Sequence, residues 1–150
     1  MMKPSADPGP HRVWVTDSFL LGRSALMDGD TGTFLGMLSA GKGHIVPVFA
    51  PDGDEIYLVE THFARTWRGE RTDVVAVYDG RTLGDRGEIA IPPKRANYPP
   101  HAAGSVALSD DGRFLAVFNL TPATSVSLVD VRARSFLREV ATPGCSLVYP

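Results

Sequence analysis

The chain has 150 residues, with 15 Lys and Arg against 17 Asp and Glu and a formal net charge of -2. That length reads as one domain, and the charge balance excludes a strongly basic nucleic-acid binder and an acidic disordered tail. No run of about 18 apolar residues occurs, so no segment reads as a membrane-spanning helix. Met1–Pro10 lacks the apolar core of a secretory signal, and residues 1–11 are predicted to be a disordered N-terminal segment preceding a structured unit at 12–150.

From residue 12 onward helical periodicity is almost absent, whereas short β-rich runs closed by turn residues recur. In chain order they are Arg12–Thr16, Ser24–Met27, Thr33–Leu38, Ile45–Phe49, Glu55–Thr61, Asp73–Tyr78, Gly87–Ile91, Ser105–Leu108, Arg113–Phe118, Ser125–Val129 and Ser135–Val140. Glycine (15) and proline (12) are plentiful, as many turns require. The pattern predicts an all-β fold.

The runs also repeat. Asp28, Asp79 and Asp130 each end a strand and open a turn, and successive members lie 51 residues apart. A second register aligns Val48–Val59 with Val106–Val117, with Gly53 and Gly112 separated by 59 residues, which predicts an insertion of about eight residues near Pro92–Pro100. A period near 50 with four short strands per unit is the signature of a β-propeller blade. In the Asp-Gly turns, glycine is expected to supply positive φ while Asp bonds its own backbone. A β-sandwich is the alternative, but it predicts no equal intervals. The expectation is a partial β-propeller, about three four-stranded blades of a larger ring completed by residues absent here, because propellers close with four to eight blades.

Residue chemistry points to a scaffold. His11, His44, His62 and His101 show no metal-pair spacing, and a single cysteine makes no zinc pattern. Cys145 reads either as a reduced cytosolic thiol or as half of a disulfide whose partner lies beyond residue 150. Gly41-Lys42-Gly43 lacks the rest of a phosphate loop. Arg65–Arg71, with Trp67 among arginines, reads as a strand-to-strand loop with local ion pairs. No Gly-x-Ser-x-Gly elbow is present.

The run Arg68-Gly69-Glu70-Arg71-Thr72-Asp73-Val74-Val75-Ala76-Val77-Tyr78-Asp79 closely resembles the heavy subunit of the quinone-dependent amine dehydrogenases, the methylamine and aromatic amine dehydrogenases. The similarity takes in Arg12–Asp17, Met27–Gly32, Leu35–Met37, Pro51–Gly53, Thr121–Ala123, Val129-Asp130 and Pro143–Cys145. The resemblance implies a seven-bladed propeller subunit in the periplasm, without catalytic residues of its own. It also implies a light subunit carrying a tryptophan tryptophylquinone cofactor, in an assembly of two heavy and two light chains. Such an assembly oxidises a primary amine to aldehyde and ammonia and passes electrons to a copper protein; no nucleic-acid or membrane partner is implied.

Two residue roles follow from the resemblance. Phe19, in the loop after the first strand, would face the substrate channel, with packing between blades as its alternative role. Cys145 matches a family cysteine whose disulfide partner lies downstream. Departures at His44–Pro47 and Tyr98–His101 bear on amine preference and on retention of the light subunit. Two other readings compete, a propeller interaction module without an enzymatic partner and a non-functional truncated remnant, since fold does not dictate function.

Overall fold

A computed structural model describes residues 11–17, 22–41, 46–92, 104–120, 123–144 and 148. The described residues form eleven strands and no helix: β1 (Arg12–Asp17), β2 (Arg23–Asp28), β3 (Phe34–Ser39), β4 (Val48–Phe49), β5 (Glu55–Arg65), β6 (Arg68–Asp79), β7 (Asp85–Ile91), β8 (Val106–Leu108), β9 (Phe114–Asn119), β10 (Ser125–Asp130) and β11 (Ser135–Ala141). They make three antiparallel meanders in sequence order, β1-β2-β3, β4-β5-β6-β7 and β8-β9-β10-β11. Each run identified in the sequence contains a strand. The first sheet corresponds to the last three strands of the others; among the described residues it has no counterpart of β4 and β8.

The sheets stack face to face, and each seam is apolar. Leu26, Leu35 and Leu38 of the first sheet pack with Ile56, Leu58 and Leu83 of the second. The opposite face of the second sheet, with Tyr57, Val59, Val75, Val77, Ile89 and Ile91, packs against Leu115, Val117, Val129 and Val131. Alternation along β5 explains both: even residues up to Leu58 face one neighbour and odd residues the other, so neither face meets water. Each buried Val or Leu contributes about 1.5–3 kcal/mol. The same register shows where the stack is open. Ile56, Leu58, Leu115 and Val117 are 0–2% exposed, whereas their counterparts on β1, Val13 and Val15, are 47% and 57% exposed. The sheets are an unclosed sector of a propeller, not a sandwich.

The 51-residue repeat has a structural meaning in the turns. Asp28 Oδ1 accepts hydrogen bonds from the amides of Asp30 (2.9 Å) and Thr31 (2.8 Å), and Asp79 Oδ1 accepts from Arg81 (2.9 Å) and Thr82 (2.7 Å). Asp130 Oδ1 accepts from Ala133 (2.9 Å). These backbone donors hold all three carboxyls below the usual carboxylate range. The fifth residue of every turn is left-handed: Gly32 (φ 70°), Leu83 (φ 55°) and Arg134 (φ 53°). A one-residue bulge follows every turn: the extra residue is Leu35, Arg86 or Leu137, opposite Leu26/Met27, Val77/Tyr78 and Leu128/Val129.

One expectation needs correction and a second needs an addition. Gly29 and Gly80, which follow the turn aspartates, do not supply positive φ. They permit close approach: the Gly29 amide donates to His11 O (2.6 Å) and the Gly80 amide to Asp54 O (2.8 Å), and a Cβ at Gly80 would collide with the carbonyl of Gly53. Val131 makes the equivalent bond to Arg113 O at 3.0 Å, where the approach is looser. Positive φ falls on the fifth residue of these turns, a glycine only at Gly32, while the Asp-Gly pairs before β5 and β9 supply it at Gly53 (73°) and Gly112 (68°).

The expected eight-residue insertion is accompanied by a second difference of the same size. Glu55 pairs with Asp79 and Phe114 with Asp130, so the second sheet's central hairpin is eight residues longer than the third's. Relative to the link between the first two sheets, the link from Asp79 to Gly112, which contains Pro92–Pro100, is longer by the same amount. Two compensating differences therefore lie behind the equal intervals. Residues 93–100 are outside the described part.

Candidate functional site

The longer hairpin is the distinctive feature of the described surface. β5 and β6 continue pairing beyond Glu60 and Val74 through Thr61↔Asp73, His62↔Thr72 and Phe63↔Arg71 to Arg65↔Arg68. Arg65–Arg71 is thus a hairpin end, not the loop expected from its polarity: the paired strands satisfy each other's backbone, which polar side chains do not prevent. Thr66 (φ 53°) and Gly69 (φ 93°) supply the left-handed conformations that reverse and kink the ribbon.

Its base is held by two polar clusters on opposite faces. On the face toward the third sheet, Arg71 donates to both oxygens of Asp73 (Nε to Oδ2, 2.8 Å; Nη2 to Oδ1, 2.8 Å). Thr61 Oγ1 donates to Asp73 Oδ1 at 2.5 Å, and the Asp73 carboxylate is fully buried. A fork-shaped guanidinium on a buried carboxylate is strong and directional. In the same seam, Asn119 Nδ2 donates to Ser125 (3.1 Å) and Ser127 (3.0 Å).

On the face toward the first sheet, the buried Glu60 carboxylate accepts from Tyr78 Oη (Oε1, 2.9 Å) and lies 2.9 Å from His62 Nε2 through Oε2. Burial pushes the Glu60 carboxyl up, against the opposing pull of its Tyr78 and His62 bonds. Burial and the adjacent carboxylate likewise push the Tyr78 phenol up. Gly41 sits against this cluster, where a Cβ would meet Thr61 O and the His62 ring.

Glu60, Thr61, Asp73 and Tyr78 were not recognised as site residues in the sequence, where they read as members of β runs. Their signal was a carboxylate at each end of otherwise apolar stretches, one ending β5's core and one opening β6's.

A cleft of about 230 Å³ lies at the opposite, turn end of the first seam, lined by Arg12, Trp14, Phe49, Gly53, Ile56 and Gly80. Trp14 and Phe49 rings meet at 5.6 Å, and Arg12 Nη1 donates to Gly80 O across the seam (3.0 Å). His11 pairs with Asp30 at 2.9 Å. No cluster of three or more His, Cys, Asp or Glu able to hold a metal occurs among the described residues. Phe19 and Cys145 lie outside the described residues, as do Lys42–His44 and His101.

Comparison with known proteins bears on this arrangement directly. The family model "Methylamine dehydrogenase heavy chain (MADH)" matches residues 7–150. The methylamine dehydrogenase heavy chain of Paracoccus versutus is 32% identical over 95% of this chain and 34% of its own length, and that of Methylophilus methylotrophus 32% over 83% and 30%. The Methylobacillus flagellatus heavy chain is 28% identical over 99% and 38%. The chain therefore spans about a third of the length of these curated relatives. Among solved structures, the dihydro-heme d1 dehydrogenase NirN matches with a TM-score of 0.62 at 22% identity, over 96% of this chain and 27% of that one, which supports the propeller fold. With the family model covering nearly the whole chain, the chain belongs to the methylamine dehydrogenase heavy chain family.

Proposed function

We propose that this chain is scaffold, not catalyst, in a periplasmic amine dehydrogenase: it supplies propeller sheets that pair with a light chain. The light chain carries the tryptophan tryptophylquinone, the group that oxidises a primary amine to aldehyde and ammonia and from which electrons pass to a copper protein. Two heavy and two light chains make the assembly. The open faces bearing Val13 and Val15 and, on the third sheet, Phe114 and Val140, are covered by further blades of the ring. In this reading Phe19 faces the substrate channel and Cys145 pairs with a cysteine farther along a longer chain.

The observation that carries the reading is the family match across residues 7–150. The positions of the two tryptophans support assigning the quinone to the partner. A tryptophylquinone joins two tryptophan side chains. Here Trp14 packs on Phe49 near the turn end of the sheets, whereas Trp67 sits at the far tip of the β5–β6 hairpin. By register Trp14 stands level with Tyr57, and eight residues of β5 run from there to Arg65, about 26 Å at the rise of a β-strand. What this chain contributes chemically is exclusion of water and shaping of access through its packed seams.

The test is co-expression of the gene with an adjacent light-chain gene. The expected result is a co-purifying pair whose quinone absorbance bleaches when a primary amine is added. Recovery of this chain alone from a lysate containing folded light chain overturns the reading, and favours a propeller module without an enzymatic partner.

A further inference from the structure

We propose that the tip of the β5–β6 hairpin, with Trp67 as anchor and Arg65 and Arg68 beside it, is a docking element for the light chain, whose facing surface is an apolar pocket rimmed by carboxylates. The assignment rests on the light-chain reading above and adds the contact that makes it. Beyond Thr61 and Asp73 the extension fills no seam, and none of its residues is buried. Where β9 and β10 stop pairing at Asn119 and Ser125, β5 and β6 run on to Arg65 and Arg68. Residues 64–70 are all exposed, so ordering them costs backbone entropy without burying core. A two-stranded ribbon alone is marginal in water.

This ribbon is nevertheless locked at its base on both faces, by Arg71–Asp73–Thr61 and by Glu60–His62–Tyr78, with the Arg71 guanidinium 6.0 Å from the centre of the Phe63 ring. A rigid pedestal under an exposed tip is the arrangement expected of a preorganised contact, because the ordering entropy is lost on folding and not again on binding.

The tip's composition states the kind of partner. Trp67 is 67% exposed, the largest exposure of any large hydrophobic side chain among the described residues. Two arginines flank its turn, and between residues 65 and 70 only Glu70 opposes them. Trp and Arg are the residue types that dominate binding hot spots: the indole fills an apolar pocket, and guanidinium groups pair with carboxylates at its rim. A propeller blade has no use for such a tip, since its neighbours cover faces and not hairpin ends. A second chain does.

The experiment uses the full chain co-expressed with its light chain. Trp67→Ala is expected to weaken light-chain binding about 30-fold or more. Arg65→Glu with Arg68→Glu is expected to weaken it further and to remove most of its salt dependence, whereas Arg138→Glu on β11 leaves binding unchanged. Melting temperatures of the lone variants separate lost contact from lost fold. Hydroxyl-radical footprinting of the wild type supplies a readout without mutation: oxidation of Trp67 is expected to fall in the complex. Wild-type affinity in both tip variants, or Trp67 equally reactive in the free and bound chain, overturns the docking role while leaving the light-chain reading intact. A wild-type chain that fails to bind the light chain overturns both.

Discussion

The two ends of the sheet stack obey different rules. At the turn end, Asp28, Asp79 and Asp130 build the same five-residue turn three times, down to the left-handed residue at its close and the bulge after it. At the other end the central hairpins differ: the one in the third sheet stops at Asn119 and Ser125, while the one in the second carries a polar, cationic extension. Repetition marks what every blade needs in order to reverse its chain and stack. Divergence marks what one blade does that its neighbours do not, and loops and hairpin ends on a rigid scaffold are where such specialisation is cheapest.

The comparison breaks most readily at the hairpin base. Asp73→Ala leaves the Arg71 guanidinium and the Thr61 hydroxyl without their shared acceptor in a buried seam, and is expected to cost about 3 kcal/mol in denaturant unfolding. A cost within about 0.5 kcal/mol, the level of an ordinary surface change, would mean that the extension is not anchored there.

A smaller effect is expected at the turn end. Asp79→Ala removes an acceptor of two backbone amides and of Arg86 Nη2 (2.5 Å), at a cost of about 1–2 kcal/mol. Because the folded-state carboxyl is held below its unfolded value, its contribution is complete above the ordinary carboxylate range and is lost as pH falls through the folded pKa. The Asp79→Ala difference should therefore shrink in acid, which urea titrations at a series of pH values will read.

The smallest expected effect has the opposite sign. Glu60 is held above its ordinary value near 4.5 by burial, so its charged form costs stability at neutral pH and ceases to as pH falls through the raised pKa. The groups facing it are His62, Tyr78 and, at longer range, Glu88. Glu60→Gln retains an acceptor for Tyr78 and a polar group for His62. It is expected to raise stability slightly at pH 7–8 and to match the wild type near pH 4. A loss of stability at pH 7 would show that the charge itself holds the cluster together.

The β-rich runs and the Asp repeat were legible because strand periodicity and turn chemistry are local: they depend on residues within one hairpin. The hairpin extension was not. His62–Thr72 alternates poorly and is rich in charge, so it reads as a loop, and only pairing with a partner strand reveals it as a ribbon. Nor do Glu60 and Tyr78, or Arg71 and Thr61, announce themselves as neighbours. They meet because antiparallel register brings residues ten or more positions apart onto one face.

By itself, then, the order of amino acids determined the all-β class, the blade repeat, the aspartate at each turn and, through the ordered motif set, the resemblance to the amine dehydrogenase heavy chains, since all of these are written in neighbouring residues. Tertiary structure alone decided that Gly29 and Gly80 serve close approach and not positive φ, that equal 51-residue spacings conceal unequal hairpins, and that two carboxylates on adjacent strands end in opposite seams. Those outcomes depend on which backbones come within hydrogen-bonding distance, a property of register and stacking that no local stretch encodes.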